Sequence, residues 1–402
     1  MAAPVAGAPA AALGLPRGRD ALTVGGRAAT LLSEAHFGPL RAALGYDGWF
    51  AAALAPFEWA KMAGGGGKGG DHMARTPCKR LFVKAVSAGD NGTLADPAFL
   101  QVQPQEPQRA LSPPTTLTRP RPPQAYCARV STGSSLIVHI LAHFALPDGA
   151  VYQVMNNWLP PTAGLRWARL YDLKGTADDK TLVQDNVPLP GVHKRFYQLG
   201  WLLAECVCGF GAAATPPARR AYALGKQEAF RTRLHVTPEQ RAALLEALAA
   251  DCAFLEAACG GLMDYSLIVG VVDASPPPPG APPPPSPLQR VSLGACHAPP
   301  LASRLPSGQP VVYYVGLIDF LQRWTGSKRA AHAIKACVAP HPISTVPPRA
   351  YARQFLAHFR GCVVGDGGAL RPGELEEEGD EAWEDAREGP GSVSSVDGDG
   401  EA

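Results

Sequence analysis

No stretch of 18 uncharged apolar residues occurs anywhere in the 402 residues, which argues against a membrane-spanning helix. The nearest approach, Phe196 to Ala214, is interrupted by Glu205 and glycines and reads as a buried helix. The nine cysteines (78, 127, 206, 208, 252, 259, 296, 337, 362) show no paired Cys-x-x-Cys spacing and no regular framework. Neither a zinc site nor a disulfide scaffold is expected from them. The N-terminus also lacks a Lys- or Arg-led apolar core, so a secretory signal is not expected. Its Ala-rich, acid-poor start reads as disorder in preference to an organelle transit segment.

Glycine (43) and proline (41) are present in excess and are concentrated in segments. That distribution predicts a disordered N-terminus over 1–30 and one folded domain over 31–361. The domain carries an irregular insert at 87–130 and a Pro-rich insert at 272–309, which reads as a linker. An acidic disordered tail follows at 365–402. The net charge of +2 conceals an asymmetry, because 12 acidic residues and one Arg lie from Glu374 onward. The remainder carries 36 basic and 23 acidic residues, a net of +13. Such a body suits an anionic partner, either a phosphoinositide-bearing membrane or a nucleic acid.

Within the domain the apolar pattern is uneven. Phe37 to Phe57 has helical spacing (Leu40, Ala43, Leu44) closed by Gly45. A glycine run, 64–70, precedes a β-rich stretch Arg80–Val86 that contains Lys84. Backbone N–H groups of such a turn can approach phosphates, and a strand lysine can hold them. Prolines across 112–124 forbid a regular helix there, and no acid is assigned opposite Lys84. The pattern resumes at Ser134–Phe144, followed by a central strand over Val151–Val154 that leads into a turn. Thr237-Pro-Glu-Gln240 is a capping box with Pro at the first helical position. Leu244, Leu248, Cys252, Leu255 and Cys259 then form one buried stripe, ended by Gly260-Gly261. Past that helix comes MDYSLIVG (263–270), where Asp264 precedes a run apolar enough to be a buried strand. Val311–Asp319 is a second such strand, ending in an acid.

Three segments in order, YDLKGT (171–176), MDYSLIVG (263–270) and VGLID (315–319), resemble the phosphatidylinositol phosphate kinases. That family reads DLKGS, MDYSLLVG and an apolar strand ending in IID. The resemblance spans about 37–57, 64–86, 134–272 and 310–361. It implies an α+β fold, two-lobed and kinase-like, with an antiparallel sheet, flanking helices and the nucleotide between the lobes. Protein phosphorylation is not expected, since no His-Arg-Asp loop precedes an Asn at the required spacing.

The resemblance also assigns roles. Gly67, Gly69, Gly70 and Lys84 would bind ATP, with Lys174 reaching the phosphates from a second side. Asp319 would hold Mg²⁺, and Asp264 would orient the inositol hydroxyl and take its proton. Lys180 stands where the family has an Arg for the substrate phosphate, and Lys cannot bind in bidentate fashion. The neighbouring acids Asp178 and Asp179 oppose an anionic substrate. Ser327–Lys335 and the stretch from Ile343 to Phe355 resemble the family's specificity loop and closing helix. Lys328 and Arg329 there would face anionic lipid, and Ala331 stands where 4-phosphate 5-kinases carry Glu.

The implied reaction is transfer of the ATP γ-phosphoryl group to a phosphatidylinositol monophosphate, leaning to the 5-phosphate with the 4-hydroxyl attacked. The product is the 4,5-bisphosphate. A 4-phosphate 5-kinase is one alternative, and an inactive phosphoinositide-binding scaffold is another. The implied partner is an anionic membrane bound peripherally at its cytoplasmic face. No nucleic acid is implied, and oligomerisation is left open.

Overall fold

The computed structural model describes residues 21–64, 72–100, 125–159, 167–176, 178–189, 217–274, 300–338 and 342–370. It is α+β, built on two six-stranded antiparallel sheets. The glycine-rich segment with Gly67, Gly69 and Gly70 lies outside the described residues, as does Phe196–Ala214.

The first sheet starts earlier than composition suggests. Strands β1 (Ala21–Val24) and β2 (Arg27–Leu32) fall largely within the stretch read as disordered. They form a hairpin around Gly25-Gly26, both at positive φ (54° and 73°), the backbone that a two-residue turn requires. A Cβ on Gly25 would stand 2.2 Å from the Phe57 carbonyl oxygen. Alternation of Leu22, Val24, Ala29 and Leu31, too sparse to read against an Ala/Gly background, is what seats the hairpin. Two helices come next, α1 (Glu34–Ala43) and α2 (Asp47–Leu54), which occupy the span 37–57 indicated by helical spacing but start three residues before it.

The sheet continues with β3 (Met73–Arg75), β4 (Leu81–Ala85), β5 (Ile140–Ala145) and β6 (Val151–Asn156), in the spatial order β1-β2-β5-β6-β4-β3. Its two faces enter different cores. On β4, Leu81 and Val83 pack with Phe50, Leu54 and Phe144, whereas Phe82 faces the main core. This period-two alternation is the expected signature of a sheet covered on both sides.

The insert 87–130 is less irregular than its prolines imply. It holds α3 (Ala88–Leu94), the single turn α4 (Pro97–Leu100) and α5 (Tyr126–Val130), while 101–124 lie outside the described residues. The Ser87 side chain caps α3 by accepting from Asp90 N–H. The prolines come after α3 and α4, so they do not prevent them.

The second sheet comprises β7 (Trp167–Leu173), β8 (Lys180–Gln184), β9 (Val187–Pro188), β12 (Ser266–Asp273), β13 (Leu301–Arg304) and β14 (Pro310–Ile318). The order is β13-β14-β12-β7-β8-β9. On β14, Val311, Tyr313, Val315 and Leu317 enter the main core while Val312 and Tyr314 pack on the far side. Helix α6 (Pro217–Arg231) and helix α7 (Pro238–Ala257) precede β12, with the short β10 (Leu234–His235) between them. The capping box forms as the spacing requires: Thr237 Oγ1 accepts from Gln240 N, and Gln240 Oε1 accepts from Thr237 N. Leu244, Leu248, Cys252 and Leu255 are buried on one face, whereas Cys259, the last residue of the expected stripe, lies beyond the helix end, half-buried and at φ 52°.

Two small pairings complete the chain: β11 (Leu262–Met263) with β15 (Gln322–Arg323), and β10 with β16 (Val363–Val364). The segment resembling a specificity loop is a helix, α8 (Gly326–Val338), as its alanines favour. Helix α9 (Pro348–Cys362) buries Tyr351, Phe355 and Phe359. The two sheets are joined directly: Val138 N–H donates to the Leu317 carbonyl at 3.0 Å, and Leu317 N–H donates to the Leu136 carbonyl at 2.6 Å.

Candidate active site

Sheet register brings the three motifs together. β12 lies between β14 and β7, with Ser266 opposite Ile318 and Leu267 opposite Leu173. Asp319 follows β14 and Lys174 follows β7 directly, and Asp264 stands two residues before β12. All three therefore emerge at one end of the same sheet. Asp264 (φ 65°) and Asp319 (φ 57°) both occupy the left-handed region. Aspartate tolerates that backbone better than most residues, and such conformations concentrate at functional sites.

Two ion pairs close this end. Lys174 Nζ donates to Asp264 Oδ1 at 2.6 Å and also to the Asp264 carbonyl oxygen. Lys84, projecting from β4 of the other sheet, donates to Asp319 Oδ1 at 2.8 Å. This identifies an acidic partner for Lys84 that no residue of the 87–130 segment suggested. Burial alone would depress the Lys174 ammonium; Asp264, Asp172 and Asp319 together hold it above its ordinary value. The two pairs are thus one electrostatic unit spanning both sheets.

Lys180 is engaged differently. It stands directly opposite Asp172 across β7 and β8, and its Nζ reaches Asp172 Oδ2 at 2.9 Å. Burial would raise the Asp172 carboxyl, but Lys180 and Lys174 outweigh it and hold it below the usual range. Asp178 and Asp179 do not act as a pair. Asp179 is fully buried beneath the Lys174 turn, and Asp178 Oδ2 accepts from Ser344 Oγ at 2.9 Å. Ser344 belongs to the Ile343–Val346 segment, whose Thr345 carbonyl bonds His332 Nδ1 at 2.7 Å. That chain of contacts ties the lysine turn to α8. There Lys328 donates to Gln322 Oε1 at 2.6 Å, Arg329 is exposed, and Ala331 is half-buried.

Tyr265 and Ser266 pack as their apolar context suggests. Both are wholly buried, and Tyr351 Oη–H donates to the Tyr265 carbonyl. Asp172 carries no signal in the sequence, because its cross-strand register with Lys180 exists only once β7 and β8 pair. Asp179, in place of opposing an anionic substrate, folds back on the turn of Lys174.

A site of this composition can bind a polyanion with its lysines and a hard cation with its freed carboxylates. Asp319, half-exposed at a strand end, suits Mg²⁺, which is usually held by one or two carboxylates plus substrate phosphates. Among the described residues no group of three or more His, Cys, Asp or Glu side chains is placed to hold a metal. No helix among them is long and apolar enough to cross a membrane.

No individually curated protein matches the chain. The family model described as phosphatidylinositol-4-phosphate 5-kinase matches residues 124–281 and 300–361. That match takes in Lys174, Asp264 and Asp319 and leaves Lys84 outside it. It covers more than half of the sequence, and the chain belongs to this family, the phosphatidylinositol phosphate kinases, as an ATP-using lipid kinase.

Proposed function

We propose that this kinase transfers the ATP γ-phosphoryl group to the 4-hydroxyl of phosphatidylinositol 5-phosphate, giving the 4,5-bisphosphate. The observation that carries the reading is the joined pair of ion pairs, Lys84–Asp319 and Lys174–Asp264, at one sheet end. A triphosphate entering there competes for both lysines with several negative charges. Lys84 and Lys174 turn to the phosphates, and both carboxylates are released. Asp264 then orients the inositol hydroxyl and accepts its proton as the oxygen attacks the γ-phosphorus and the bond to the ADP oxygen breaks. Mg²⁺ bound at Asp319 would offset charge on the β- and γ-phosphate oxygens. The glycines 67, 69 and 70 are assigned to the nucleotide on the resemblance alone.

The lipid side of the reading rests on α8. Arg329 and Lys328 present charge to an anionic surface, where each basic residue is worth about 1 kcal/mol. Lys180 serves the substrate phosphate only if it leaves Asp172, which is buried. Ala331 offers no carboxylate to the inositol ring, which favours the 5-phosphate over the 4-phosphate. The commitment of Lys180 to Asp172 is also the observation that favours a second reading, a phosphoinositide-binding scaffold with little turnover.

The test is product formation from ATP and phosphatidylinositol 5-phosphate vesicles. Wild type should form the bisphosphate. Asp264→Asn should lose at least about 100-fold in kcat, the usual scale of a general base, while still binding the vesicles. ATP binding without turnover of either monophosphate would favour the scaffold.

A further inference from the structure

The turn that presents Lys174 rests on a carboxylate that phosphoryl transfer as described does not use. Asp179 Oδ1 accepts the backbone N–H of Lys174 at 2.6 Å and of Thr176 at 3.1 Å. Its other oxygen, Oδ2, has no hydrogen-bond partner among the described residues and faces His358 Nε2 at 3.9 Å. That nitrogen is buried and equally without a hydrogen-bond partner among them. The His358 ring, carried by α9, lies against Gly175, where an added Cβ would come within 2.6 Å of the His358 side chain. Gly175 also sits at φ 68°, so both the backbone and the close approach require glycine. The turn is therefore held by a buried acid and packed against the imidazole that this acid faces.

The clamp is charged at a cost. Burial pushes the Asp179 carboxyl up to about 6; the N–H groups of Lys174, Thr176 and Gly175 oppose this, and Asp172 adds to it. Burial holds the His358 imidazole below its ordinary value, and Arg233 acts in the same direction. Among the described residues, Tyr351 and Cys362 on α9 also interact with Asp179. Asp172, paired with Lys180, faces it from β7.

We propose that Asp179, backed by His358, is the positioning residue of the phosphoryl-transfer site: it fixes the backbone from Lys174 to Thr176 and releases it on taking up a proton. The inference rests on the reading in which Lys174 holds ATP phosphates. The ionised carboxylate makes the stronger, charge-assisted bonds to the N–H groups, so the grip on the turn weakens as pH falls through about 6. Stability runs the other way. Because the folded value lies above the ordinary 3.8, this group's contribution to stability falls as pH rises from about 4 to about 6 and stays low above. Ionised Asp179 thus serves positioning at the expense of stability, and an amide in its place reverses both.

The experiment uses the full chain and Asp179→Asn, with Asp179→Ala as a second variant. At pH 7.5 Asp179→Asn should melt at the wild-type temperature or above it, with kcat lowered about tenfold or more and KM for vesicles unchanged. The ratio of wild-type to Asp179→Asn kcat should shrink as pH falls from 7.5 to 5.5. Amide hydrogen exchange at Lys174 and Thr176 is read in the same samples and should quicken in both variants, while Val269 on β12 is unchanged. Equal exchange at those amides, or a kcat ratio near one at pH 7.5, would overturn the proposal. Quickened exchange in a chain whose wild type shows no turnover would sink the kinase mechanism and leave the positioning of the turn standing.

Discussion

At Asp319 two quantities of different size decide what substitution does. Its pair with Lys84 is half-exposed on the acid side, and such pairs are typically worth less than about 1 kcal/mol. A metal-bound carboxylate beside transferring phosphate supports several kcal/mol of transition-state stabilisation. Asp319→Asn should therefore remove nearly all lipid phosphorylation while the melting temperature moves by a few degrees at most. Retention of more than about a tenth of the activity would remove the metal role. Ala331 poses the complementary case, in which a group is added. It sits half-buried one residue from His332, which is anchored to the Thr345 carbonyl. A carboxylate placed there can bond inositol hydroxyls, so Ala331→Glu should shift preference toward the 4-phosphate by about 1–2 kcal/mol, the worth of one charge-assisted bond. An unchanged isomer ratio would show that α8 does not read the ring through this position.

Among the elements, helix α7 acts furthest from its own position. Asp251, wholly buried, accepts from Arg129 Nε at 2.7 Å, Ser135 Oγ at 2.9 Å and Leu136 N at 2.7 Å. Leu136 in turn accepts from Leu317 N, two residues before Asp319. One carboxylate thus links α7 to α5, to the joint between the sheets and to the strand that ends at Asp319. Removing one partner of a buried pair leaves the other uncompensated, so Asp251→Ala should cost about 3 kcal/mol by denaturant titration. Thr237→Ala, at the N-terminal end of the same helix, should cost about 1 kcal/mol. A loss at Asp251 no larger than that at Thr237 would show that the joint does not depend on this pair.

What could be read from sequence divides along the same line. The capping box, the buried stripe of α7 as far as Leu255 and the strand-end acids are local patterns, and each forms where its spacing places it. The hairpin at Gly25-Gly26 was hidden because a short alternating strand in Ala/Gly-rich surroundings carries little periodicity. Helix α3 was hidden by prolines that come after it. The partners of Lys84 and Lys180 were not legible at all: Asp319 and Asp172 meet them only through strand register and the approach of two sheets. The segment over α8 resembled a loop, although its composition is that of a helix.

For the molecule as a whole, charge is distributed so that a body of net +13 by sequence precedes an acidic end. Binding to anionic vesicles should weaken steeply between low and physiological salt, because the screening length falls from about 30 Å at about 0.01 M to about 8 Å at physiological ionic strength. Lys328→Glu combined with Arg329→Glu should weaken it further. Equal binding to neutral vesicles would point to apolar insertion instead. On the proposed reading, lipid and nucleotide converge at the end of the second sheet closed by Lys84–Asp319 and Lys174–Asp264.

The most direct measurement is a competition assay in which the two monophosphate isomers, mixed in equal amounts in anionic vesicles, are offered with γ-labelled ATP. The position of the label on the inositol ring of the product is then determined. Label should appear at the 4-position in excess, with none above background for Asp264→Asn and a shift toward the 5-position for Ala331→Glu. Label predominantly at the 5-position from the wild-type chain would contradict the assignment of substrate. Absence of label at either position, with ATP still bound, would contradict catalysis at this site.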